Sequence, residues 1–95
     1  MIPKITNDHM TISDARVTGV PILVPSFKVR KNKLVFPVLY DSEAYMCVVW
    51  GKTALDLCHH LNIGKTISVY GKEKPGHRMP IVHVRSITVQ GPIID

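Results

Sequence analysis

Apolar and polar residues alternate along most of this chain, and the period changes only once. Ala15, Val17 and Gly19 alternate with Arg16, Thr18 and Val20, which reads as strand inside a β-rich stretch from Ile12 to Val24. Gly19 is the expected site of a bulge or sharp bend, and Pro21 and Pro25 argue against a flat, centrally paired strand. A second run, Leu34 to Tyr40, contains Pro37, which removes a ladder donor and implies an edge position or a bulge. Ala44 to Trp50 is the third strand. Tyr45, Cys47 and Val49 form one face and Met46, Val48 and Trp50 the other. Both faces are apolar, so the one turned away from the core needs a helix, a subunit or a ligand. Ile67 and Val69 alternate with Thr66, Ser68 and Tyr70 in a fourth strand. In the last, Met79 to Gln90, Ile81, His83 and Arg85 oppose Pro80, Val82 and Val84 before Ser86 interrupts and Ile87 and Val89 continue.

The change of period falls at Thr53 to Leu61. Ala54, Leu57, Cys58 and Leu61 recur at helical spacing and make one apolar stripe. Asp56 is expected near the first turn and His59 and His60 in the last, where their charges suit the helix dipole. Gly64 follows as a left-handed stop. Turns are expected at Asp41-Ser42-Glu43 and at Lys72–Arg78 around Pro75-Gly76. One short helix between strands of an otherwise all-β chain predicts a five-stranded OB-fold barrel with the helix between strands 3 and 4. The expected layout is an N-terminal arm over 1–11, an OB-fold domain over 12–91 and a short C-terminal end over 92–95.

With 95 residues there is room for one domain, and 45% hydrophobic residues suffice for a modest core. Twelve Lys and Arg against seven Asp and Glu leave a formal charge of +5, which favours an anionic partner. A membrane surface is the weaker choice, because no long basic amphipathic helix is visible and the longest apolar runs are too short to span a bilayer. Cys47 and Cys58, one in a strand and one in the helix, read as reduced, buried thiols. With no signal-peptide pattern at Met1-Ile2-Pro3-Lys4, a cytoplasmic location is expected.

The stretch Val48-Val49-Trp50-Gly51-Lys52-Thr53-Ala54, then Leu61, Ile63-Gly64-Lys65, Ile67 and Val69-Tyr70-Gly71, resembles the bacterial-type single-stranded DNA-binding proteins. Ala15-Arg16-Val17-Thr18-Gly19 weakly resembles the first strand of that family. The resemblance covers roughly residues 14–90. It implies an OB fold and assembly as a homodimer or homotetramer. It also implies binding of single-stranded DNA in replication, recombination or repair, without covalent chemistry or a cofactor. Replication proteins are further partners it implies. By position, Trp50 matches an aromatic that stacks on bases, with Met46 and Val48 on its face. The chain departs from the pattern at Val20-Pro21-Ile22-Leu23, where an acidic Pro-containing turn is usual, and at Ala44, where well-studied members carry Trp. It also lacks a long aromatic hairpin at Lys72–Arg78 and has no acidic tail before Ile93-Ile94-Asp95. These departures point to a small divergent member, phage- or plasmid-borne in a bacterial cell, or to a primosomal OB relative.

Stacking and phosphate contact are the chemistry to look for. Stacking tolerates any sequence because every base has a π face. Trp50 is the first choice. Tyr40 and Tyr45 suit either stacking or barrel-end packing, and Phe36, mid-strand, suits either stacking or the core. Tyr70 and Phe27 are further platforms. Lys28, Arg30, Lys31, Lys33, Lys52, Lys72, Lys74, Arg78 and Arg85 are the candidate phosphate contacts. The segment Phe27–Lys33 packs four positive charges around an expected turn at Asn32. A metal site is not expected: His59 and His60 are neighbours on a helix and point about 100° apart, and the cysteines complete no zinc spacing. Asp8, Asp14, Asp41, Glu43, Asp56 and Glu73 form no acid–base or nucleophilic constellation, so no enzyme is expected. Two alternatives stay open: an OB-fold protein-interaction module of a replication or primosome complex, and an RNA-binding OB domain.

Overall fold

The computed structural model describes residues 4–6, 9–28, 30–74 and 78–90. The remainder of the expected arm, the Pro75-Gly76 turn and the expected C-terminal end at 92–95 lie outside them. The elements in chain order are β1 (Lys4–Thr6), β2 (His9–Val17), β3 (Ile22–Ser26), β4 (Lys31–Tyr40), β5 (Glu43–Trp50), α1 (Gly51–Leu57), β6 (Thr66–Lys74) and β7 (Ile81–Gln90). The sheet runs β1-β2-β6-β7-β5-β4-β3, and an added pairing of β2 with β4 closes it. Strands β2, β4, β5, β7 and β6 therefore form a five-stranded barrel, with β1 and β3 as appended edges. Every barrel pairing is antiparallel except β5–β7, where Met46, Cys47 and Val48 run parallel to Ile81, Val82 and His83. This closed mixed barrel, with one helix between its third and fourth strands, is an OB fold.

Closure depends on a bulge in β2. Ile12 pairs with Val69 but Ala15 with Ile67, so the register slips between them. Asp14 takes the left-handed conformation (φ 57°) at this slip. Its amide donates to Ser68 Oγ at 3.1 Å, and Gln90 Nε2 donates to Asp14 Oδ1 at 3.1 Å. The extra residue adds local twist and lets β2 leave β6 and reach Leu39 and Val38 of β4. The sharp bend expected at Gly19 is present, between β2 and β3, while the bulge lies five residues earlier, at an Asp that tolerates positive φ. The expected single stretch Ile12–Val24 is two strands, separated at 18–21. The start of β2 at His9 also takes Met10, expected in the arm, into the core.

Pro37 is tolerated inside β4 for a local reason. Its carbonyl accepts the Thr18 amide at 3.0 Å. That edge of β4 pairs β3 through Lys31–Val35 and β2 at Val38–Leu39, so Pro37 falls in the gap between them. The strand is interior, but no ladder partner is asking for the missing N–H at that point.

Phe36, Met10, Ile12, Leu34, Ile67, Val17, Val38, Val69, Val82 and Cys47 fill the barrel. Burial of Cys47 pushes its thiol pKa up to about 12, and neither cysteine is bridged. Ala54 and Leu61 join that core, with Leu57 and Cys58 packed against it, so the expected stripe does plug the barrel. The helix itself is shorter and earlier than its pattern implied, ending at Leu57. Asp56 consequently sits beyond its first turn, and His59 and His60 lie in the turn that follows. The expected stop at Gly64 is not what ends the helix: α1 is capped at Cys58 in the right-handed conformation, and Gly64, with φ 94°, serves the separate turn before β6. The Gly64 amide donates to the Val17 carbonyl at 2.8 Å, tying that turn to the end of β2.

Candidate nucleic-acid interface

The outward face of β5 and its two neighbours is the apolar surface that needed an occupant. On β5, Tyr45, Cys47 and Val49 point into the barrel, so Met46, Val48 and Trp50 point out. Across β4 the register sets Trp50 opposite Lys33, Val48 opposite Val35 and Met46 opposite Pro37. Across β7 it sets Met46 beside Ile81 and Val48 beside His83. Val48 is nearly covered by these neighbours and forms the floor, whereas Trp50 is only half-buried.

Two contacts hold the indole. Its N–H donates to His83 Nδ1 at 3.4 Å, and Lys33 Nζ lies 5.6 Å from the ring centroid. A cation over an exposed indole is worth about 0.5–1 kcal/mol. The pKa of His83 is held below 6.5 by burial first, then by the Lys74 and Lys33 charges. The neutral imidazole keeps Nδ1 as an acceptor for the indole N–H. Restrained this way, the ring loses less freedom when something stacks on it.

Beside Trp50 the surface becomes basic. An open groove of about 710 Å³ runs between the β3–β4 turn and the start of α1, lined by Phe27, Arg30, Lys31, Asn32, Lys52 and Leu55, among others. Phe27 is 88% exposed. Arg30 sits at φ 53° in the turn, and Lys28 is exposed in the same turn. The chain reverses here rather than at Asn32, which is already in β4. The groove thus gathers three cations and an exposed ring at Asn32 and Gly51, the chain neighbours of Lys33 and Trp50.

Other candidates are placed elsewhere. Phe36 is fully buried on the inward face of β4 with Leu34 and Val38, which corrects its place among stacking residues: no base can reach it. Tyr45 is corrected in the same way. It is 7% exposed on the inward face, and its hydroxyl pKa is raised by burial, then by Glu43, Glu73 and Tyr40. Tyr40 is half-buried at the far end of β4, beside a shallow pocket it lines with Ser13, Asp14 and Asp41. Two carboxylates there repel a phosphate backbone. Tyr70 is 40% exposed on the outer face of β6, its ring stacked on His9 at 5.3 Å and 10°. Lys72 lies two positions on, opposite His83. Lys74, Arg78 and Arg85 are exposed, and Arg85 is the extra residue of a bulge, since Tyr70 pairs with Ser86 but Gly71 with Val84. At Gly71 a Cβ would run into the His83 carbonyl oxygen, so only glycine fits.

Sequence reasoning missed His83, Val35 and His9 as members of this face. The alternation of Ile81 and His83 was visible. Nothing local pairs them with Met46 and Val48, because parallel partners are distant in sequence. Among the described residues, no group of His, Cys, Asp and Glu is arranged to hold a metal ion.

No protein-family model matches the chain, and neither does any curated protein. Solved structures do match. The single-stranded DNA-binding domain of a Synechococcus protein superposes with a TM-score of 0.75 at 14% identity, covering 88% of this chain and 97% of that one. The second single-stranded DNA-binding protein of Mycobacterium smegmatis gives 0.74 at 16% identity, covering 88% and 87%. The protein PriB from Ralstonia solanacearum gives 0.68 at 8% identity, covering 87% and 97%. At such identities the likeness is one of fold: the chain is an OB-fold barrel built like theirs.

Proposed function

We propose that this chain binds single-stranded DNA with little sequence preference and protects it in replication, recombination or repair. The observation that carries this reading is Trp50, half-buried on the outward apolar β4–β5 face under Lys33 and next to a basic groove. Bases stack on the indole while Lys33, Lys31, Arg30 and Lys52 meet phosphates. Phe27 is placed to take a further base at the groove. The names of the similar structures support the same ligand. Binding needs no bond-making group, so the role is non-catalytic.

Fluorescence titration with oligo-dT tests it, because Trp50 is the only tryptophan. The expected result is quenching, with affinity falling as salt rises at a log–log slope of about −0.7 per phosphate contacted. Absence of binding at low salt sinks the reading. Matched RNA oligomers in the same titration separate DNA from RNA preference, which rests on the 2′-OH.

A second reading has its own observation. Val20, Ile22 and Leu23 are exposed at the start of the β3 edge, where Ile22 pairs with Val35 and extends the outward apolar face past β4. That edge suits protein contact, either with another copy in a homodimer or homotetramer or with a replication protein. Sedimentation of the wild type against Ile22→Lys (I22K) measures it: a copy-to-copy contact requires the variant to sediment as a smaller species.

A further inference from the structure

We infer that a bound single strand does not end at β5 but crosses the barrel over β7 and β6 to a second stacking platform, Tyr70 on His9. This rests on the single-strand reading of the β4–β5 face and extends it in a direction the groove does not take.

The rows of the sheet lay the path out. His83 on β7 neighbours Val48 and accepts the Trp50 indole N–H. Lys72 on β6 pairs with His83, and His9 on β2 pairs with Lys72. Tyr70, two residues before Lys72, stands next to His9 with the rings nearly parallel. All of these side chains are on the barrel exterior, since they alternate with buried Met10, Val69, Gly71 and Val82. The strip thus reads indole, imidazole, lysine, imidazole, phenol, without interruption.

Charge favours the same path. Lys33 stands at its start and Lys72 at its middle, and Lys74 is close enough to act on His83. Thr11 and Ser86 pair with Tyr70 on either side. Glu73 alternates to the other face of β6, where it acts on Tyr45. Among the described residues no carboxylate interrupts the strip. A pre-stacked ring pair is a platform already ordered, so a base joining it pays little of the usual ordering cost. Strand spacing puts the platform about 10–15 Å from Trp50, on the order of three or four nucleotides at the ~3.4 Å rise of a stacked strand.

The test is a ladder of oligo-dT, lengthened one nucleotide at a time and titrated against the full chain. Wild-type affinity should gain about 5- to 150-fold, the worth of one stacked base, over the few added nucleotides that reach Tyr70. Tyr70→Thr, chosen because threonine suits a strand, should remove that gain yet leave short-oligomer affinity and Trp50 quenching unchanged. Tyr70→Phe should keep it. Lys72→Gln should flatten the salt slope by about 0.7 for long oligomers only, and it decides the matter should Tyr70→Thr fail to fold. Retention of the full length gain by Tyr70→Thr, or equal losses for short and long oligomers, overturns the second platform while leaving the Trp50 face standing. Failure of the wild type to bind any oligomer overturns both.

Discussion

The two faces of β5 have nearly the same hydrophobicity and opposite fates. Tyr45, Cys47 and Val49 face the barrel; there the tyrosine is covered and the thiol is held protonated by burial. Met46, Val48 and Trp50 face outward, where a lysine, a histidine and a basic groove surround the indole. An aromatic residue on the first face contributes to stability, and one on the second is available to a ligand. The lesson is that ring chemistry does not assign the role. The role follows from which side of the pleat faces the core.

Several substitutions can break this contrast. The largest effect is expected for Phe36→Ala on the inward face of β4. Emptying a fully buried ring site costs about 3–5 kcal/mol, read as a large drop in urea midpoint with unchanged affinity per folded molecule. Trp50→Ala should do the reverse. Titration followed by anisotropy of labelled oligo-dT should show a loss of about 5- to 150-fold, while the urea midpoint moves much less. If the two variants behave alike in both assays, the division into faces is wrong.

Lys33→Gln comes next. It should lower affinity several-fold at low salt and flatten the log–log salt slope by about 0.7, with a loss of stability of no more than about 0.5–1 kcal/mol from the cation over the indole. The smallest effect concerns pH. The folded pKa of His83 is lowered from 6.5. Its stabilising contribution is therefore complete above about pH 6.5 and is lost as pH falls through the depressed folded value. Protonation also removes the acceptor for the Trp50 indole. The free protein should show a small change in Trp50 emission below pH 6.5 that His83→Gln abolishes; an identical change in that variant would detach the indole from the imidazole.

Much of the architecture was legible because it is written in local periods. Helical spacing at Ala54, Leu57, Cys58 and Leu61 and alternation in each strand identify the elements and their order, whereas the helix stop expected at Gly64 falls instead at Cys58. The site was legible in part. The outward placing of Trp50 and the cluster of cations from Lys28 to Lys33 around the start of β4 were readable, since an aromatic on a two-faced strand and a dense basic turn are visible without coordinates. Phe36 and Tyr45 were misplaced among stacking residues because alternation groups side chains by face and says nothing of which face is inside. The bend at Gly19 was legible because glycine is the usual mark of one, but the bulge at Asp14 was not, since it is held by Ser68 and Gln90, both far along the chain.

By itself, the sequence determined the strands, the single helix, the net positive charge and the apolar excess on β5, all of which depend on neighbours within a few residues. Tertiary structure decided the rest. Closure of β2 onto β4 chose the inward face, and the parallel β5–β7 pairing brought His83 to Trp50. The β2–β6–β7 rows aligned His9, Tyr70 and Lys72 with them. Those choices are made by long-range register, where a shift of one residue exchanges the two faces of a strand. A local pattern holds no information about such a shift until the barrel closes.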